Sequence, residues 1–150
     1  MAEAAVRPAR PDEVDAVVAT YEWLFAPPGS RPAGWDAGRA SERLGRVIAS
    51  ETSTALVAER DGRLVGLCTV YRDIESVRFG QRAWVEDLAV DPDHRSEGIG
   101  KRLLDAAKDW ARAHGASHLE LDSGLARADA HRFYEREQAT GKSISFGWEL

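Results

Sequence analysis

The sequence predicts an α/β protein (α+β in the broad sense): a mixed central sheet with helices on both faces, in the order βααβββαβαβ. Two observations carry most of this. Asp61-Gly62 separates two apolar runs, Ala55 to Glu59 and Leu64 to Tyr71, and that dipeptide suits a tight I′ turn, so an antiparallel hairpin is expected. Farther on, short apolar runs alternate with stretches of helical period, and strands joined through helices pair in parallel. With 150 residues, no repeat and no linker, the chain is expected to form one domain, 1–150, large enough for a proper core.

Taken in order, Ala4 to Arg7 suits a first edge strand that Pro8 to Pro11 ends. Asp12 is placed to cap a helix with Val14, Val17, Val18, Tyr21, Leu24 and Phe25 on one face. The proline- and glycine-rich stretch Ala26 to Gly34 reads as an exposed loop. Asp36 caps a second helix reaching about Ser50, with Ala40, Leu44, Val47 and Ile48 as its apolar positions. After the hairpin, Ile74 to Gln81 reads as polar connection and Trp84 to Val90 as a strand. A turn with Asp91-Pro92-Asp93-His94 leads into Arg95-Ser96-Glu97-Gly98-Ile99-Gly100 and a helix that stops at Gly115. A strand over Ser117 to Asp122, a helix over Ala126 to Glu137 and a last strand over Ser143 to Leu150 complete the order.

Composition narrows the function. A formal charge of −5 and a pI near 5.4 argue against nucleic acid as a partner. No long apolar run or signal-peptide pattern is present, so neither a membrane nor export is expected, and a cytoplasmic location is the default. Cys68, the single cysteine, lies in an apolar strand and reads as core. The histidines show no metal-ligand spacing, and no metal is expected.

The chemistry begins at the stretch from Trp84 to His114. Glycines between a strand end and a helix start let backbone N–H groups approach an anion, with the positive end of the helix dipole behind them. Arg95-x-x-Gly98-x-Gly100 lacks the Lys-Ser/Thr ending of a P-loop, so nucleotide triphosphate hydrolysis is not indicated. Combined with Leu88-Ala89-Val90-Asp91-Pro92 before it and Ala130-x-x-Phe133-Tyr134 after it, the pattern resembles the GNAT N-acetyltransferase family. The resemblance runs from about Val6 to the last strand, with its strong signals between Val85 and Glu135, and the element order agrees with that family's fold.

That resemblance implies an N-acetyltransferase that moves an acetyl group from acetyl-CoA to a primary amine of a small molecule or peptide by direct attack. It implies that Leu88, Ala89 and Val90 meet the pantetheine arm where two parallel strands splay apart, with the Val90 N–H polarising the thioester carbonyl. Arg95, Ser96, Glu97, Gly98, Ile99, Gly100 and Lys101 then hold the pyrophosphate. A protonated amine cannot attack a thioester, so a base is required. The candidates are Glu86, Asp87 and Glu120; strand alternation sends Glu86 and Asp87 to opposite faces, and Glu120 lies where some family members place a catalytic glutamate. Tyr134 matches the family's tyrosine, whose phenol can protonate the leaving thiolate; a core tyrosine on an amphipathic helix is the other reading.

Three departures stand out. Arg127 occupies the place of the family's asparagine, in a chain with no asparagine at all, so that side chain's cofactor contact is lost or replaced. The Gly-Phe that usually follows the tyrosine is absent. The tail supplies one clear strand only, which leaves an edge for a partner subunit to finish, and a homodimer is the expectation. The missing asparagine and the three competing candidates for the base motivate an alternative, a catalytically silent acyl-CoA-binding or sensing module. The resemblance places acceptor recognition at Trp23, Phe25, the Pro27 to Trp35 loop and Trp84; core aromatics are the other reading of these residues.

Overall fold

A computed structural model describes residues 3–150. The strands are β1 (Ala5–Pro8), β2 (Ser53–Arg60), β3 (Arg63–Ser76), β4 (Gly80–Val90) and β5 (His118–Leu121). The helices are α1 (Val14–Ala19), α2 (Glu22–Phe25), α3 (Ala37–Ala49), α4 (Ile99–Ala113) and α5 (Ala128–Arg136). The sheet order is β1-β2-β3-β4-β5, antiparallel from β1 to β4 and parallel between β4 and β5. The mixed sheet with helices on both faces is thus as expected.

Strand alternation divides the core. Ala58, Cys68, Val70 and Val85 pack with Ile99, Leu103 and Ala107 of α4 on one face. Ala55, Val57 and Leu67 pack with Val17, Val18 and Leu44 of α1 and α3 on the other. Asp61 (φ 52°) and Gly62 (φ 77°) both take positive φ between β2 and β3, as an I′ turn requires. Asp36 caps α3, its Oδ1 accepting the Arg39 N–H at 2.8 Å.

Four local expectations need correction. Asp12 caps nothing: the chain enters α1 through a 3₁₀ turn over Pro11–Glu13 whose N-cap is Arg10. The apolar face from Val14 to Phe25 is not one helix, since α1 ends at Ala19 and α2 begins at Glu22. The polar stretch from Ile74 to Gln81 is mostly strand, β3 and β4 running on as a long hairpin held by cross-strand pairing of Glu75 with Gln81. Residues 143–150 form no strand, although Ile144, Phe146, Trp148 and Leu150 alternate as a strand would; all four are exposed. Period-two patterning describes a face, and a strand also needs an adjacent backbone with which to pair.

Arg7 ties the sheet edge to the first helical turn. Its guanidinium donates to both carboxylate oxygens of Glu13, at 2.7 and 2.8 Å, and to Glu59 of β2. The hydrogen bonds from Arg7 hold the Glu13 carboxyl down at about 2. A carboxyl lowered on folding adds stability above its unfolded value and gives it up as pH falls through the folded one. Wild-type protein is therefore expected to lose this contribution between about pH 4.5 and 2, whereas Glu13→Gln lacks it throughout. Urea midpoints measured against pH should differ most near neutrality and converge in acid; a constant gap would contradict the assignment.

Candidate active site

The site is built on β4 because that strand is bulged and half unpaired. Its register with β3 slips between Thr69↔Asp87 and Val70↔Val85, which leaves Glu86 as the extra residue of a β-bulge. On the other side, parallel pairing with β5 stops at Val85↔Leu121. From Glu86 to Val90 the β4 edge therefore has no strand beside it. The gap opens into a cleft of about 760 Å³, within the range that holds a small-molecule ligand. Tyr21, Phe25, Trp35 and Arg43 line one side, Glu86, Asp87 and Leu88 come from β4, and Asp122, Ser123, Arg127 and Tyr134 line the other side.

The bulge changes where the carboxylates point. Simple alternation would separate Glu86 from Asp87, yet both line this cleft. Glu86 is exposed, with the Trp84 indole N–H donating to it at 3.2 Å. Asp87 is more constrained: it accepts from the Tyr21 hydroxyl at 2.7 Å and from the Thr69 hydroxyl at 2.9 Å. Thr69 Oγ1 in turn accepts the Asp87 N–H at 3.1 Å. Burial, and then the Asp87 charge, raise the Tyr21 pKa, so its hydroxyl remains a donor. Tyr21 also stacks on Trp35 with ring centroids 5.7 Å apart, and Phe25 meets Trp35 edge-on at 4.7 Å. One hydrogen bond thus joins an aromatic wall to the bulged strand. Tyr21 and Thr69 went unnoticed in the sequence because one falls on an apolar helical face and the other inside an apolar strand.

Glu120 stands apart from this group. Its carboxylate lies 2.9 Å from His118 Nε2 and 3.2 Å from Arg82 Nη1, and it is not among the cleft-lining residues. Tyr134 does line the cleft. Burial, with Cys68 adding and Arg127 opposing, pushes its phenol up to about 12. A raised phenol pKa means that the proton is retained across the neutral range. Cys68 is fully buried, and burial pushes its thiol up to about 12 as well, which fits a core role and not a nucleophile. Arg127, at the N-cap of α5, donates to the Leu24 carbonyl at 3.2 Å and so bridges to the end of α2.

The glycine turn beyond β4 has the features an anion needs. Asp91 Oδ1 accepts the Asp93 N–H at 2.9 Å and shapes a short 3₁₀ turn over Pro92–His94. Ser96 (φ 63°) and Gly98 (φ 82°) adopt left-handed conformations that turn the chain into α4. Gly98 is the N-cap and offers no side-chain acceptor. The first helical hydrogen bond to it comes from the Arg102 N–H, at 3.1 Å, so the amides of Ile99, Gly100 and Lys101 have no intrahelical partners. Glu97 is engaged by Arg60 Nη1 at 2.9 Å and by His94 Nδ1 at 3.1 Å. These residues fit a pyrophosphate, and the unpaired β4 edge fits an extended amide-bearing arm. Among the described residues no group of three or more His, Cys, Asp and Glu side chains is placed to hold a metal ion, and no helix is long and apolar enough to cross a membrane.

Comparison with known proteins decides the family. The family described as Acetyltransferase (GNAT) matches residues 17–139. The chain belongs to the GNAT acetyltransferase family. It is 38% identical over 93 residues to an uncharacterized N-acetyltransferase, YhdJ, of Bacillus subtilis, covering 62% of this chain and 65% of the relative. It is 36% identical over 81 residues to the aminoalkylphosphonate N-acetyltransferase of Salmonella typhimurium, covering 54% of this chain and 53% of that one. In both cases the match spans less than two thirds of the relative's own length. The fold superposes on glucosamine-6-phosphate N-acetyltransferase from Arabidopsis thaliana with a TM-score of 0.79 at 18% identity, covering 99% of each chain. It also superposes on AAC(6')-Iy, solved with a bisubstrate analog, CoA-S-monomethyl-acetylneamine, with a TM-score of 0.81 at 15% identity, covering 99% of this chain and 100% of the other. Within this GNAT chain, the bulge and the end of the β4–β5 pairing open on one cleft. Ala89, Val90 and the glycine turn from Arg95 to Lys101 lie farther along β4 and at the head of α4, outside its lining.

Proposed function

We propose that this chain, as one domain over residues 1–150, transfers the acetyl group of acetyl-CoA to a primary amine of a small molecule or peptide by direct attack. The observation that carries the reading is the unpaired β4 edge from Glu86 to Val90, which runs from the candidate base to the glycine turn at the head of α4. Bound there, acetyl-CoA supplies an activated acyl carbon. Leu88, Ala89 and Val90 align its arm, and the amides from Arg95 to Lys101 take its pyrophosphate. Glu86 removes a proton from the acceptor ammonium, directly or through one water, and frees the nitrogen lone pair to attack the acyl carbon. The Val90 N–H donates to the oxygen on which charge develops, a fixed donor that needs no reorganisation. As the C–S bond breaks, Tyr134 gives its proton to the departing sulfur, and the attacking nitrogen releases its second proton to solvent. Tyr134 and Glu86 return to their starting protonation by exchange with solvent.

Glu120 remains a candidate base only through its position on β5; its pairing with Arg82 and His118 favours Glu86. The test is thiol release from acetyl-CoA across a panel of amines, with Glu86→Gln and Glu120→Gln beside wild type. Amine-dependent release that falls in Glu86→Gln supports the reading. A second reading, a catalytically silent acyl-CoA-binding module, draws on Arg127, which stands in the asparagine position and is occupied with the Leu24 carbonyl. Calorimetric CoA binding without release to any amine would favour it. The single buried thiol accords with a reducing cytoplasm.

The reading extends to a homodimer. β5 is an edge strand, and Ser145 on the nearby tail donates to Asp122 at 2.6 Å. Ile144, Phe146, Trp148 and Leu150 are exposed there with strand spacing, a combination that favours pairing with a second copy. Sedimentation equilibrium at micromolar concentration should return twice the chain mass, and a monomer would dispose of the dimer.

A further inference from the structure

The cleft is lined by charges of both signs, and that bears on the acceptor. Six charged residues line it: Asp36, Glu86, Asp87, Asp122, Arg43 and Arg127. None of the four carboxylates is in a described salt bridge; each instead takes a neutral donor. The Arg39 N–H, the Trp84 indole, the Tyr21 and Thr69 hydroxyls and the Ser145 hydroxyl serve Asp36, Glu86, Asp87 and Asp122 respectively. Asp36 is further offset by the positive end of α3, which it caps.

The guanidiniums differ from one another. Arg127 is engaged by the Leu24 carbonyl. Arg43 is exposed and has no hydrogen-bond or ion-pair partner among the described residues. It stands seven residues after Asp36, two helical turns along α3, and so on the side of the helix that Asp36 presents to the cleft. The apolar side of α3, with Leu44 at its centre, is turned to α1 and β2. The same cleft is therefore bordered by a free guanidinium from α3 and by Glu86 and Asp87 from β4, where an ammonium must lose its proton.

Resting on the proposed acetyl transfer, we infer that the acceptor is a small zwitterionic amine. Its ammonium lies toward Glu86 and its oxyanion head, a carboxylate or a phosphonate, is bound by Arg43. A guanidinium presents a planar fork that matches either head through two parallel N–H···O bonds. A neutral amine would leave Arg43 without that partner, and a diamine would place a second cation near it.

The test uses acceptors matched in chain length and differing only in the head group. They are an ω-amino carboxylate, the ω-amino phosphonate, the amino alcohol and the diamine, each scored by kcat/KM with acetyl-CoA. Wild type should prefer the two oxyanion acceptors over the amino alcohol by about tenfold or more, the range of one charge-assisted pair. Comparing the carboxylate with the phosphonate identifies the head. Arg43→Gln should collapse the preference to about one, and Arg43→Glu should move it toward the diamine, while Arg43→Lys should restore part of it. Because Arg43 is exposed, these variants should melt like wild type. Equal rates across the panel, a wild-type preference for the diamine, or a preference unmoved in Arg43→Gln would each overturn the inference. Absence of transfer to every acceptor would instead strike the acetyltransferase reading itself.

Discussion

Tyr134→Phe is expected to lower kcat by about 100-fold or more, the usual cost of removing a general acid, with little change in CoA affinity. The ring stays in place at the cleft and only the proton donor leaves. Burial pushes the phenol up to about 12, so in wild type the tyrosine remains protonated through the neutral and mildly alkaline range. The limb of the kcat profile that rises with pH should therefore belong to the base and the acceptor, and no fall assignable to Tyr134 should occur in the neutral and mildly alkaline range. A stopped assay of thiol release, paired with calorimetry of CoA binding, separates the two effects. Unchanged kcat in the variant would remove Tyr134 from the chemistry.

The second large effect concerns the packing of α4 on the sheet. Gly66 on β3 lies directly under α4. A Cβ there would sit 2.8 Å from Leu103 Cδ1, closer than side-chain atoms tolerate, and a tight 3.0 Å from Ile99 Cγ2. Gly66→Ala should therefore destabilise the fold by about 1–3 kcal/mol through overpacking. Leu103, fully buried at the centre of the same contact, should lose about 2–5 kcal/mol on Leu103→Ala. The two changes are complementary in volume. In the double variant the added methyl enters space the leucine has vacated, so its loss should be smaller than the sum of the two. Urea unfolding of all four proteins measures this. Strict additivity would mean that β3 and α4 do not meet there.

Much of the molecule was legible in the sequence because its signals are local. The Asp61-Gly62 turn, the α4 periodicity and the glycines before it depend on neighbours a few residues away, and they stand where the sequence put them. What escaped depends on distant partners. Glu86 and Asp87 came to share a cleft through a bulge set by β3, which no spacing within β4 reveals. Tyr21 looked like one more apolar-face residue until Asp87, 66 positions away, supplied its acceptor. The expected strand over residues 143–150 had the right alternation and no backbone beside it. Arg43 carried no motif at all, and only the closing of α3 over the cleft gives it a role.

The central claim is acetyl transfer from acetyl-CoA to an amine within the β4–β5 gap. The measurement that meets it most directly is mass spectrometry of a defined zwitterionic amine incubated with acetyl-CoA and the protein. The account predicts acceptor carrying one added acetyl group, formed with one free CoA per product and suppressed in both Glu86→Gln and Tyr134→Phe. Tight CoA binding with no acetylated product from any amine in the panel would contradict it.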